Sequence, residues 1–152
     1  MVGFVALVAW GLSHVYSGRA MYIQVGAMIG TIMAWNVFFV IMPAQRKLVE
    51  AKLNGMSPAA VHGLRGKQRS VHNNYFTLPV LFVMISNHYP LTFGHRHAWL
   101  VLVAILLIAA FVRHFFNLRH VGRTVWAIPA AAAVATVALA VAIAPEKPKA
   151  AA

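Results

Sequence analysis

Residues 98–118 read AWLVLVAILLIAAFVRHFFNL, and the first fifteen of them carry no charge. Coiled as an α-helix this stretch is about 31 Å long, the thickness of a bilayer's hydrocarbon core. The only ionisable side chains in it, Arg113 and His114, sit near its far end.

The neighbouring segments follow the same pattern. Met21–Met42 is a second long apolar run, with Pro43 and then Arg46-Lys47 expected to stop it. Val71–Tyr89 is a third, carrying Pro79 inside it, and Thr124–Ala144 is a fourth, rich in alanine and valine. Met1–Tyr16 is apolar but would span only about 24 Å as a helix, so it reads as the later part of a spanning segment. Residues 44–70 form a polar connection with turn signals at Asn54-Gly55 and Ser57-Pro58. The expected fold is all-α: a polytopic transmembrane helix bundle, with one integral membrane domain over 1–144 and a polar tail over 145–152.

Composition supports that class. The chain has 152 residues, of which 61% are hydrophobic and 10% charged, against roughly 25% charged in a soluble domain. Its net charge of +11 would suggest nucleic acid in a soluble protein. Here the cations lie between apolar runs, where membrane topology places them, so the expected partner is the lipid bilayer and not nucleic acid. The opening MVGFVALVAWGL has no basic flank and no small-residue cleavage site, so no cleavable signal is expected. Lys and Arg number six in the 44–70 loop, and Arg113, Arg119 and Arg123 bring that side to nine. Four lie on the other side: Arg19, Arg96, Lys147 and Lys149. The bias puts the 44–70 loop in the cytoplasm and the C-terminus outside.

Several chemistries are excluded. The two carboxylates, Glu50 and Glu146, both lie in polar segments, so there is no paired-carboxylate site and no di-iron cluster. There is no cysteine, hence no thiolate chemistry and no covalent haem attachment on this chain. No metal site, nucleophile triad or phosphate-binding glycine loop is expected. What is left is redox or binding chemistry by His, Arg and Asn.

The eight histidines fall into two levels. His14, His88, His95 and His97 belong to the outer end, and His62, His72, His114 and His120 to the inner end. His72 and His88 are about 24 Å apart along one helix and cannot share a ring or an ion. His62, His95, His97 and His120, flanked by polar residues, read as interfacial side chains. His114 stands inside an apolar run beside Arg113, where an ionisable group needs a partner or a cavity. The expectation is that His72 and His114 line one polar pocket with Asn117, one turn from His114, and that His88 and His14 form a separate outer site. Arg113 adds a positive charge suited to an anion or a haem propionate. The segment from Arg65 to Tyr75 is the densest polar stretch. Its ordinary reading is anchoring and capping; its functional reading is a lip for a planar anion, in which Arg69 offers a fork and Asn73 and Asn74 offer paired donors and acceptors. On the second run, Gly26-x-x-x-Gly30 followed by Ala34 predicts close helix packing. Gln24 and Asn36 are expected to face the bundle, while Trp35, Phe38 and Phe39 read as lipid-facing or packing residues.

These residues also carry a resemblance. His14-Val15-Tyr16-Ser17-Gly18-Arg19-Ala20, Gly30-Thr31-Ile32-Met33-Ala34 and Asn36-Val37-Phe38-Phe39-Val40 resemble the membrane domain of bacterial membrane-bound urate oxidase, or urate hydroxylase. So do Lys67-Gln68-Arg69-Ser70, His72-Asn73-Asn74-Tyr75, Leu78-Pro79-Val80-Leu81-Phe82, Ser86-Asn87-His88-Tyr89-Pro90 and Arg113-His114-Phe115-Phe116-Asn117. The likeness covers roughly the later half of that domain and implies a stretch that is incomplete for catalysis by itself. It further implies a bacterial inner membrane location with a periplasmic C-terminus, urate as the substrate, and electrons passed to cytochrome c or a cytochrome c domain. Any c-type haem would then sit on a separate chain or domain. Under this reading His72, Asn73, Asn74, His114 and Asn117 are the catalytic candidates, and Arg69 and Arg113 hold substrate. His14, His88 and His114 are the candidate ligands of a b-type haem. Two alternatives remain open: a b-haem electron-transfer module without its own substrate, and a non-catalytic helical subunit or fragment.

Overall fold

The computed structural model describes residues 2–57, 60–86 and 88–144, and every regular element among them is helical. The order is α1 (Val2–Ser13), α2 (Gly18–Asn36), a π-helical turn (Val37–Ile41), α3 (Met42–Leu53), α4 (Ala60–Ser86), the short α5 (Pro90–Phe93), α6 (Ala98–His120) and α7 (Ala127–Ala142). Of these, α4 is central, packing on α2, α3 and α6, while α1 and α7 each lean on α6.

The expected stop at Pro43 does not occur. The helix runs without a break from Gly18 to Leu53, and the proline is absorbed by widening the preceding turn. Proline has no N–H to give the carbonyl four residues back; here the Met42 N–H reaches Val37 O instead, one residue further than in an α-helix. Much of the expected 44–70 connection is helical as well. Its Arg, Lys, Gln and Leu residues are good helix formers, and among the described residues of this stretch the turn at 54–57 interrupts them. Gly55 takes φ +67° there, a left-handed value that suits glycine. The Met56 N–H then bonds Ala51 O at 2.9 Å and the Gly55 N–H bonds Lys52 O at 3.2 Å, closing α3 by a paired cap. Pro58 and Ala59, the second half of the Ser57-Pro58 signal, and the 145–152 tail lie outside the described residues.

The core forms where α1, α2, α4 and α6 meet, around Met21, Tyr22, Val25, Ile29, Val83 and Leu102. Tyr22 is fully buried, and its hydroxyl lies 3.2 Å from both Thr92 O and Ala98 O, tying α2 to the start of α6. Of the two spaced glycines, Gly26 meets the expectation: a Cβ there would come within 2.9 Å of Val83 Cγ1. Gly30 does not, since nothing would lie within 4 Å. The helix turns Gly30 off the α4 contact. Asn36 is buried, whereas Gln24 is exposed, so only one of the two faces the bundle. Trp35, Phe38 and Phe39 each leave 60% or more of their surface uncovered.

Candidate functional site

A polar cluster sits between the middle of α4 and the C-terminal third of α6. The helices run antiparallel, which brings Asn74 opposite Asn117 and Tyr75 opposite His114. The Asn74 amide is used at both ends: its Nδ2 donates to Asn117 Oδ1 at 2.7 Å, and its Oδ1 accepts from Arg113 Nη2. Next to this ladder, the Tyr75 hydroxyl and His114 Nδ1 share a hydrogen bond of 2.7 Å, with the rings nearly stacked. Arg113 and Asn117 lie four residues apart and so on one face of α6.

The cluster has more donors than acceptors. Arg113 Nε and Asn117 Nδ2 are buried without a hydrogen-bond partner, a costly arrangement for N–H groups away from water. The one carboxylate side chain among the described residues, Glu50, is on α3 and does not neutralise them.

The other expected site residues divide. Asn73 is buried and turned away from the cluster. Its Oδ1 accepts from Asn36 Nδ2 at 2.9 Å, and its Nδ2 donates to Met33 O at 2.8 Å, so it clasps α4 to α2 and has little left for a ligand. Arg69 is exposed on α4, apart from the Arg113 ladder. His72 stacks on Phe76 and borders a mostly apolar cavity of about 280 Å³ that Tyr75 also lines but His114 does not. The expected shared polar pocket of His72 and His114 is therefore two adjoining places, with Tyr75 touching both. The outer pairing also differs. His14 shares a cleft with His95 and Arg96, while His88 is exposed in the turn after α4 and does not line that cleft. His95 reads as an interfacial side chain because its neighbours are polar; the packing of α1 along α6 brings it to His14.

A b-type haem gripped by two histidines does not fit the inner level. His72 is the single histidine on the cavity, and His114 is engaged by Tyr75. Among the described residues no group of three or more His, Cys, Asp or Glu side chains could hold a metal ion. Sequence reasoning did not single out Tyr75, which the structure sets against His114. One signal was present: Pro79, four residues later, cannot donate to the Tyr75 carbonyl, so the backbone at this turn lacks its ordinary partner.

Residues 1–144 match the family described as urate oxidase N-terminal. The chain belongs to that family. Two of the words that carry the resemblance in the sequence build the cluster: His72 to Tyr75 on α4 and Arg113 to Asn117 on α6. No curated protein and no solved structure matches the chain.

Proposed function

We propose that this urate oxidase N-terminal family member is a membrane-embedded module that holds urate for oxidation, with electrons leaving to a c-type cytochrome on another chain or domain. The observation that carries the reading is the Arg113–Asn74–Asn117 ladder with its two buried, unpartnered donors. Urate is a planar anion at neutral pH, edged with carbonyl and ring-nitrogen acceptors. Arg113 Nε and Asn117 Nδ2 supply hydrogen bonds to such an edge, and the guanidinium supplies the counter-charge. The Tyr75–His114 pair stands beside the ladder and can take a proton from the substrate as it is oxidised, since a neutral imidazole has one bare nitrogen.

Membrane embedding is supported by the apolar surface. Gly18–Leu53 and Ala98–His120 are long and apolar enough to cross a bilayer, and only 22% and 33% of their most apolar stretches are buried. A soluble core helix would be mostly covered; these helices present Trp35, Phe38, Phe39, Leu100 and Leu107 outward, as lipid would require. In that setting the Lys- and Arg-rich hairpin of α3 and the start of α4 lies in the cytoplasm, in a bacterial inner membrane. A b-haem electron-transfer role has less support, because the inner histidines do not pair across one cavity.

The test is equilibrium dialysis of radiolabelled urate against the purified chain in lipid nanodiscs. Saturable binding is expected, with Arg113→Gln weakening it by at least about tenfold, or 1.4 kcal/mol. Binding no stronger than to empty nanodiscs, or equal in the variant, would remove this reading.

A further inference from the structure

The cavity beside the polar cluster has no part in holding urate, yet it has a distinct make-up and position. Phe76, Pro79, Leu106 and Ala110 contribute apolar wall, and His72 and Tyr75 are the polar-tipped side chains on it. Small-molecule sites are built this way, with apolar walls and a few polar groups that fix orientation. On α6 the cavity wall is Val103, Leu106, Leu107 and Ala110. It starts one turn outward of Arg113 and stops short of Trp99, which lines the outer cleft. Arg113 and Trp99 are fourteen residues apart on one helix, about 21 Å. On α4 the lining runs from His72 to Pro79, so the cavity lies alongside the ladder and extends from it toward the outer end of the bundle.

We propose that this cavity seats the ring of a lipid-soluble quinone. An apolar ring with two carbonyl oxygens matches a site whose polar groups are one imidazole and one phenol. A saturated lipid chain matches it less well, because it would offer the His72 imidazole no hydrogen-bond partner. The Tyr75–His114 hydrogen bond can run in either sense. When His114 Nδ1 carries the proton it donates to the phenol oxygen, which frees the Tyr75 O–H for a quinone carbonyl. The Tyr75 carbonyl, left without a helical donor by Pro79, adds an acceptor for a quinol O–H.

The redox role rests on the urate reading. Urate takes up one water oxygen and loses two electrons and two protons. The quinone gains both pairs, two O–H bonds form, and quinol results. Returning those electrons singly to a one-electron acceptor at the outer end releases the two protons and restores the quinone. A two-electron donor at one depth is thereby matched to a one-electron acceptor at another.

The experiment is equilibrium binding of decylubiquinone to the full chain in nanodiscs, with radiolabelled urate dialysed in parallel. Saturable binding of about one quinone per chain is expected, above the partitioning seen with empty nanodiscs. His72→Leu removes a polar group at similar bulk and Ala110→Phe fills the space; each is expected to weaken quinone binding at least about tenfold. Ala110→Phe should leave urate binding in place. Partitioning equal to empty nanodiscs would mean that lipid fills the cavity and would overturn the proposal. So would saturable binding that neither variant weakens. Loss of urate binding by the unaltered chain, with quinone binding retained, would overturn the urate reading and leave the quinone site standing.

Discussion

Asn74 is the joint of the cluster, since one amide group serves both Arg113 and Asn117. Replacing it by leucine keeps the volume but deprives the guanidinium and the Asn117 Oδ1 of partners in a half-buried setting. Asn74→Leu is expected to lower stability by about 1–3 kcal/mol, read as a reduced midpoint of thermal unfolding in detergent. An unchanged midpoint would show that the ladder is not made. Asn73, one residue away, was equally eligible from the sequence, because Asn-Asn at the head of an apolar run gives no indication of which amide faces which neighbour. A helix turns by about 100° per residue, given 3.6 residues per turn. Asn73 consequently meets α2 while Asn74 meets α6, and only the packing of α4 between them decides the roles. Arg69 suits an anion by its type, and its place on α4 leaves it exposed.

At the level of elements, the apolar runs located the helices well and their ends poorly. Pro43 and the polar 44–70 stretch looked like boundaries, yet a π-helical turn accommodates the proline and good helix formers extend both flanks. Within 44–70, Asn54-Gly55, with its left-handed glycine, marks the break among the described residues. Glycine spacing gave the packing face of α2 in part. Gly26→Leu must push into Val83 and is expected to destabilise by about 1–3 kcal/mol, whereas Gly30→Leu opens onto empty space and should change stability by less than about 0.5 kcal/mol. Comparing their unfolding midpoints in detergent checks the α2–α4 contact, and equal losses in both variants would contradict it.

For the molecule as a whole, few charges and long apolar helices were evident from composition, and the family from its ordered words. The adjoining placement of ladder and cavity was not, because it depends on the register between α4 and α6, which residues forty positions apart set together. The proposed topology puts the α1–α2 turn outside and the α3–α4 turn in the cytoplasm. The chain has no cysteine, so single substitutions report cleanly. Val15→Cys is expected to react with a membrane-impermeant maleimide added to intact cells, and Leu53→Cys only after permeabilisation. Labelling of both from the same side would break the topology. The central claim, that the cluster holds an anion of urate's kind, is tested most directly at Arg113 Nε. In nanodiscs, the ¹⁵N–¹H spectrum of arginine-labelled protein, with the resonance assigned by its loss in Arg113→Lys, should show that Nε–H shifting downfield as urate is added. Its exchange with water should slow at saturation. A resonance that keeps its position and exchange rate at saturating urate would contradict the account.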